Sequence, residues 1–225
     1  MNKYYFTSES VTEGHPDKLC DYISDKILDE YLKQDKFSRV AVETFATGDL
    51  VVVAGQVTSN GNVNVESIVR ETIKEIGFNN KNTDIDYNNC KIIVDITKQS
   101  PDIAMGVDIG GAGDQGIMFG YACNETQNYM PLAIDLAHKL SLRLTNVRKE
   151  NILNYLRPDG KTQVTVEYEN DMPKRIETIL ISTQHEENIT MDKLKQDIKE
   201  HVIFPTIDKN LIDENTKIYI NPTGK

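Results

Sequence analysis

The sequence predicts an α+β fold of repeated βαββαβ units, with mainly antiparallel sheets and helices on one face. Three observations predict it. Two β-rich stretches are each broken by a short turn signal, helices with 3–4 apolar spacing flank them, and the element order of the first half returns in the second.

Tyr4–Thr7 is a short apolar run expected as the first strand. Pro16 then stands where a helix's first turn tolerates it. Beyond it Leu19, Cys20, Ile23, Ile27, Leu28, Tyr31 and Leu32 recur at helical spacing to about Gln34. Arg39–Phe45 and Leu50–Thr58 read as strands around Ala46-Thr47-Gly48-Asp49, a hairpin signal. Leu50–Val53 is apolar at consecutive positions, as in a strand buried on both sides, so the free sheet face is expected to pack between domains or subunits. Val65, Ile68, Val69, Ile73 and Ile76 mark a helix that stops at Gly77. Lys91–Thr97 is a further strand.

After a stretch rich in Gly and Asp, Gln99–Gly116, the pattern runs again. Ile117–Tyr121 is expected as a strand and Met130–Lys149 as a helix with Pro131 near its start. Thr162–Glu169 and Arg175–Thr183 form a second hairpin around Asn170-Asp171. Thr190–Ile203 is a helix with Thr190 as N-cap, and Lys217–Ile220 is a closing strand. Identity between the halves is negligible, so only element order repeats.

Composition narrows the function. The 225 residues are 39% hydrophobic and 27% charged, an ordinary globular balance. A net charge of -10 argues against a nucleic-acid backbone or an anionic membrane as a general partner. Cys20, Cys90 and Cys123 are odd in number and contain no C-x-x-C pair, which fits a reducing compartment and no zinc site. The N-terminal stretch has no apolar segment of signal-peptide length, and a cytoplasmic protein is expected.

Gly111-Ala112-Gly113-Asp114-Gln115-Gly116 matches G-x-G-x-x-G, with Asp135 downstream. A dinucleotide fingerprint needs a strand before and a helix after, and here a loop precedes and an apolar run follows. The glycines instead suit a mobile loop rejoining a strand. His15-Pro16-Asp17 fits a capped helix start, yet the surrounding TEGHPDKLCD carries more polar chemistry than capping needs. An imidazole donates to phosphate oxygens, and a lone carboxylate suits Mg²⁺, which takes one or two protein carboxylates plus phosphates. Glu43 is a charge within an apolar-rich strand, explained equally by a solvent-facing position. Arg157-Pro158-Asp159-Gly160-Lys161 reads as a turn by composition. Composition and spacing alone point to a metal-dependent nucleotide enzyme.

Taken together, FTSESVTEGHPDKLCD, QSPDIA, GAGDQGIMFGYACNET, MPLAIDLAHKL, LRPDGKTQVTVEY, ISTQH and INPTGK resemble the methionine adenosyltransferase (S-adenosylmethionine synthase) family, in order from Phe6 to Lys225. The resemblance implies three βαββαβ units around a pseudo-threefold axis, of which this chain holds two. It divides the chain into an N-terminal unit at 1–98, a mobile gating loop at 99–113 and a central unit at 114–225. It implies attack of the methionine sulfur on C5′ of ATP, release of triphosphate and its cleavage, with Mg²⁺ and K⁺ as cofactors. By the same resemblance His15 and Lys161 are catalytic, and His15, Asp159, Gly160, Lys161 and Lys225 contact ATP. Gln56, Gln99 and Asp114 contact methionine, Asp17 holds magnesium and Glu43 potassium. The implied assembly is a homodimer or homotetramer with the site between subunits.

Departures from the family pattern qualify this. Gln56 stands where the family has a methionine-binding glutamate, so weaker methionine binding is expected: an amide oxygen accepts from an ammonium without charge assistance. The gating loop is also shorter than usual. The larger departure is that the sequence stops at Lys225, before the family's GGP…GD…GLTGRK and HGGGAFSGKD segments with their phosphate-binding cations. The chain alone is therefore expected to be nearly inactive, a fragment or one completed by a second chain. The alternatives are a non-catalytic paralogue that regulates a full-length enzyme and a residual nucleotide-binding module.

Overall fold

The computed structural model describes residues 2–79, 85–98, 110–112 and 115–223. In chain order the elements are β1 (Lys3–Val11), α1 (Pro16–Gln34), β2 (Arg39–Thr47), β3 (Leu50–Thr58), α2 (Val65–Ile76), β4 (Lys91–Thr97), α3 (Leu132–Lys149), β5 (Leu156–Glu169), β6 (Met172–His185), α4 (Met191–Ile198) and β7 (Lys217–Ile220). They form two units, one of residues 16–120 and one of residues 1–15 with 121–225. The architecture is α+β, as the sequence predicts.

In the unit of residues 16–120, β2 and β3 form the expected antiparallel hairpin, with Ala46 and Thr47 drawn into the strand so that Thr47 lies opposite Leu50, and β4 joins β3 in parallel. Helix α1 presents Leu19, Ile23, Ile27 and Tyr31, and α2 presents Val65, Val69, Ile73 and Ile76, against Val42, Val51 and Val53 of the sheet. Each fully buried side chain of this size contributes roughly 1.5–3 kcal/mol. Asn64 caps α2, its side chain accepting from the Ser67 N–H at 3.1 Å, and Gly77 ends it with φ 113°. In β3 the buried positions are Val51 and Val53, while Leu50 and Val52 are only half-buried. Within this unit β3 has one face in the core, and its other face is the one expected to pack between domains or subunits.

The other unit carries the sheet β1-β5-β6-β7, antiparallel except for the last pair. Asn170 and Asp171 take φ 52° and 63°, the backbone a two-residue hairpin demands, and so set the β5–β6 register. Val164, Val166, Ile176, Ile179 and Ile181 face Leu136, Leu140 and Leu144 of α3 and Leu194 and Ile198 of α4. Thr190 caps α4 by accepting from the Lys193 N–H. The expected helix to Ile203 changes character at Lys199–Ile203, a π-helical turn whose His201 carbonyl accepts from Arg143 Nε at 2.9 Å.

Three sequence expectations are corrected. The first strand does not join the sheet of the first half; β1 runs antiparallel to β5, from Lys3 opposite Glu169 to Val11 opposite Lys161. Its partners are side chains of the second half: Tyr4 stacks on Tyr168 at 5.0 Å, and Ser10 Oγ bonds His138 Nδ1 at 2.8 Å and Ser141 Oγ at 3.1 Å. Only Tyr4–Thr7 looks apolar in sequence, which hides a nine-residue strand. Residues 117–121, expected as a strand, are irregular and exposed, Phe119 at 92%. The sheet edge beside β5 that the repeat would give them is occupied by β1. Arg157–Lys161, expected as a turn, is instead part of β5, where a register shift between Leu156 and Gly160 accommodates Pro158.

Candidate functional site

The turn after β1 is fastened to the irregular start of β5. Thr12 donates its N–H to the Gly160 carbonyl at 2.9 Å and its hydroxyl to the Pro158 carbonyl at 2.7 Å. The His15 N–H closes the turn on the Thr12 carbonyl at 3.1 Å. Gly14 lies so close to Pro158 that a Cβ there would sit 2.4 Å from the proline's carbonyl carbon. Gly160 is similarly hemmed in, its would-be Cβ 2.9 Å from Leu144 Cδ2 and 3.3 Å from the Ser182 carbonyl oxygen. Gly14 has no room for a side chain, and one at Gly160 would have to push aside a Leu144 methyl group. The two absent side chains let two segments far apart in sequence share one spot.

Three of the predicted ATP contacts, Asp159, Gly160 and Lys161, are thereby set beside the turn that carries a fourth, His15. His15 and Asp159 are half-buried and each has a partner. Lys161, opposite Val11, ion-pairs with Glu9 across the β1–β5 ladder at 3.6 Å. Both side chains remain largely in solvent, where such a pair stabilises little, so the lysine is available to an anion. Glu13 is engaged elsewhere, bonded to Arg148 and, at 2.8 Å, to Lys149 in the last turn of α3. Burial pulls the Arg148 guanidinium below its ordinary value while Glu13 works the other way. Glu13 thus anchors the turn.

The remaining described site residues belong to the unit of residues 16–120. Asp17 lies in the first turn of α1, directly after Pro16, exposed and with a partner. Glu43 and Gln56 lie on the open face of the sheet, exposed, Glu43 opposite Ala54 and Gln56 opposite Ala41. Gln99, Asp114 and Lys225 fall outside the described residues. Among the described residues no group of three or more His, Cys, Asp or Glu side chains is arranged to hold a metal ion. A single carboxylate at a helix start fits Mg²⁺ shared with phosphates, which needs no cage of protein ligands. Glu43 offers one oxygen donor group to a monovalent cation.

Two elements of this arrangement have no signal in the candidate residues themselves. Thr12 reads as an ordinary polar residue, and Gly14 as part of a turn. Their roles follow from Pro158, whose position against the turn depends on a register shift that sequence patterning does not reveal. A second structural device supports α3: Glu125 Oε2 accepts from the Leu132 N–H at 2.8 Å and the Tyr168 hydroxyl at 2.7 Å. Burial, then Glu125 itself, pushes the Tyr168 hydroxyl well above the ordinary phenol value. No helix among the described residues is long and apolar enough to cross a membrane.

Residues 3–101 match the family model of the S-adenosylmethionine synthetase N-terminal domain, and residues 109–225 that of its central domain. The S-adenosylmethionine synthase of Finegoldia magna is 56% identical over 239 residues, covering 100% of this chain and 61% of that protein. The one from Clostridium botulinum is 54% identical over 237 residues, covering 99% of this chain and 61% of its own length. The chain therefore spans about 61% of the length of these relatives.

Proposed function

The chain belongs to the S-adenosylmethionine synthetase family, and from that premise we propose that it takes part in making S-adenosylmethionine from ATP and L-methionine. The observation that carries the reading is the attachment of the His15 turn to Pro158–Gly160 through Thr12. It supports one cationic and hydrogen-bonding locus for a polyphosphate, assembled from the segments with the closest family resemblance.

In this reading a neutral thioether attacks C5′ of ATP and becomes a sulfonium, while the departing triphosphate gathers negative charge. Catalysis is then chiefly positioning and electrostatic stabilisation of the leaving oxygens. His15 donates from its imidazole to the oxygen that leaves C5′. Lys161 exchanges its exposed partner Glu9 for phosphate oxygens, and Asp159 and Gly160 help hold the nucleotide. Gln56, with Gln99 and Asp114, orients methionine, the Gln56 amide oxygen accepting from the ammonium. Lys225 is a further ATP contact, and residues 99–113 gate the site. When bound, Mg²⁺ at Asp17 offsets triphosphate charge and K⁺ is held at Glu43. Domain limits at 98 and 113, a homodimer or homotetramer, and a cytoplasmic setting belong to the same proposal.

The test is His15→Asn in the complete enzyme that contains this chain. Loss of one donor to a developing oxyanion should lower kcat by about 100-fold or more, with the KM for methionine little changed. Wild-type turnover in that variant would refute the role given to His15.

A further inference from the structure

The open face of the β2-β3-β4 sheet is laid out in rows by its register. In one row Gln56 lies between Ala41 and Thr97, and in the next Ala54 lies between Glu43 and Asp95. Asp95 is therefore the diagonal neighbour of Gln56 on the same face, one strand over and two residues back. Strands about 4.8 Å apart and a rise of about 3.3 Å per residue put their Cβ atoms roughly 8 Å apart. The side chains that flank this diagonal are both short, the methyl group of Ala54 and that of Thr97 with its hydroxyl. Asp95 is exposed and forms no ion pair among the described residues.

We propose that Asp95 is a specificity-determining residue that contacts the ammonium group of the amino-acid substrate, supplying from β4 the negative charge that Gln56 lacks on β3. The inference rests on the reading of Gln56 as the residue facing methionine's amino group. A small cation over Ala54 is within reach of the Gln56 amide oxygen and the Asp95 carboxylate together. The amide fixes direction with a neutral hydrogen bond, and the carboxylate adds the charge-assisted one. Ala54 leaves the space open, and Ala41 and Thr97, short side chains beside Gln56, do not close it. Glu43, on the far side of Ala54, is given to the potassium ion in the functional reading, which leaves Asp95 for the substrate. The weaker methionine binding expected from Gln56 is thus offset by a residue with no place in the recognised motifs.

Calorimetric titration of the full chain with L-methionine and with 4-(methylthio)butanoate, which lacks the ammonium, tests this. Asp95→Asn should raise the Kd for methionine by about five- to ten-fold and leave the Kd of the desamino analogue unchanged. Adding Gln56→Glu to Asp95→Asn should restore methionine binding by returning the charge to β3. The inference is overturned if Asp95→Asn leaves methionine binding as it was, or weakens both ligands alike. If Gln56→Ala weakens methionine while Asp95→Asn does not, the inference fails and the methionine site stands. If neither substitution affects methionine, or the wild-type chain does not prefer methionine to the analogue, both fail.

Discussion

Replacing Gly14 with alanine adds one methyl group at the point where the His15 turn meets β5, and the sign of its effect separates two accounts of that glycine. Gly14 has no left-handed backbone requirement, so removing glycine's freedom in the unfolded chain would by itself stabilise by about 0.4–1 kcal/mol. Against this, the new Cβ would lie 2.4 Å from the Pro158 carbonyl carbon and Cβ and 2.5 Å from its oxygen. Carbon atoms rest about 3.5–4.0 Å apart, so the turn must retreat by about 1 Å. Overpacking of this kind costs roughly 1–3 kcal/mol, and stretching the Thr12 bonds to Pro158 and Gly160 adds about 1 kcal/mol for each bond lost. The clash wins, with a net loss of about 2 kcal/mol. Scanning calorimetry should show the transition of the unit containing Gly14 lowered by roughly 4–8 °C. If the chain acts as proposed, a displacement of about 1 Å at His15 should also cut S-adenosylmethionine formation by about 100-fold. A Gly14→Ala chain that melts at or above the wild-type temperature would refute the steric account.

Glu125→Ala removes the acceptor for the Leu132 N–H and strands the Tyr168 hydroxyl, so urea unfolding should show a loss of about 2 kcal/mol; an unchanged midpoint would exclude that support for α3. Tyr155→Phe takes the 2.6 Å hydroxyl bond from buried Asp197 and leaves it the Lys193 bond at 2.7 Å. A loss of about 1–2 kcal/mol is expected by the same measurement, and a stabilised variant would contradict it. Glu167, Glu177 and Asp213 are held below the ordinary carboxylate range, chiefly by Lys3, Lys217 and Arg175 respectively, with Arg175 also bonded to the first two. Depressed carboxylates contribute stability above their unfolded values and lose it as pH falls through the folded ones. Arg175→Met should therefore flatten the fall of the urea midpoint below about pH 4.5; identical slopes in variant and wild type would count against the network.

Local signals were the legible part of this chain. The cap at Thr190, the end of α2 at Gly77 and the Asn170-Asp171 hairpin each follow from a few adjacent residues, whereas the Asn64 cap of α2 was not anticipated. The stripes on α1 and α2 follow from periodicity. What patterning missed depended on partners distant in sequence. A polar run such as Ser8-Glu9-Ser10 looks like loop until His138 and Ser141 stand opposite it. Pro158 and Gly160 look like a turn until a register shift lets a strand hold both. The candidate site shows the same division. Motif resemblance named His15, Asp159, Gly160 and Lys161, but it gave no reason for their meeting, which lies in Thr12 and in the close approach of Gly14 to Pro158.

The placement of β1 also has a consequence for how the molecule comes into being. Thr7 waits for Thr165, its bonding partner at 2.8 Å, while all of the unit at residues 16–120 is synthesised between them. At about 5–20 residues per second the first strand leaves the ribosome roughly 10–30 s before β5 exists to receive it. The intervening unit can fold in that time, tethered to an unpaired segment bearing Tyr4, Tyr5 and Phe6. Lys3 and Glu9 put a charge near each end of that segment, a defence against pairing with another chain. The entropy of closing so long a loop grows only logarithmically, so the delay burdens the speed of folding more than the stability of the product. A fusion or cleavage ahead of β1 would therefore register in the unit of residues 1–15 and 121–225, whose other strands are made later.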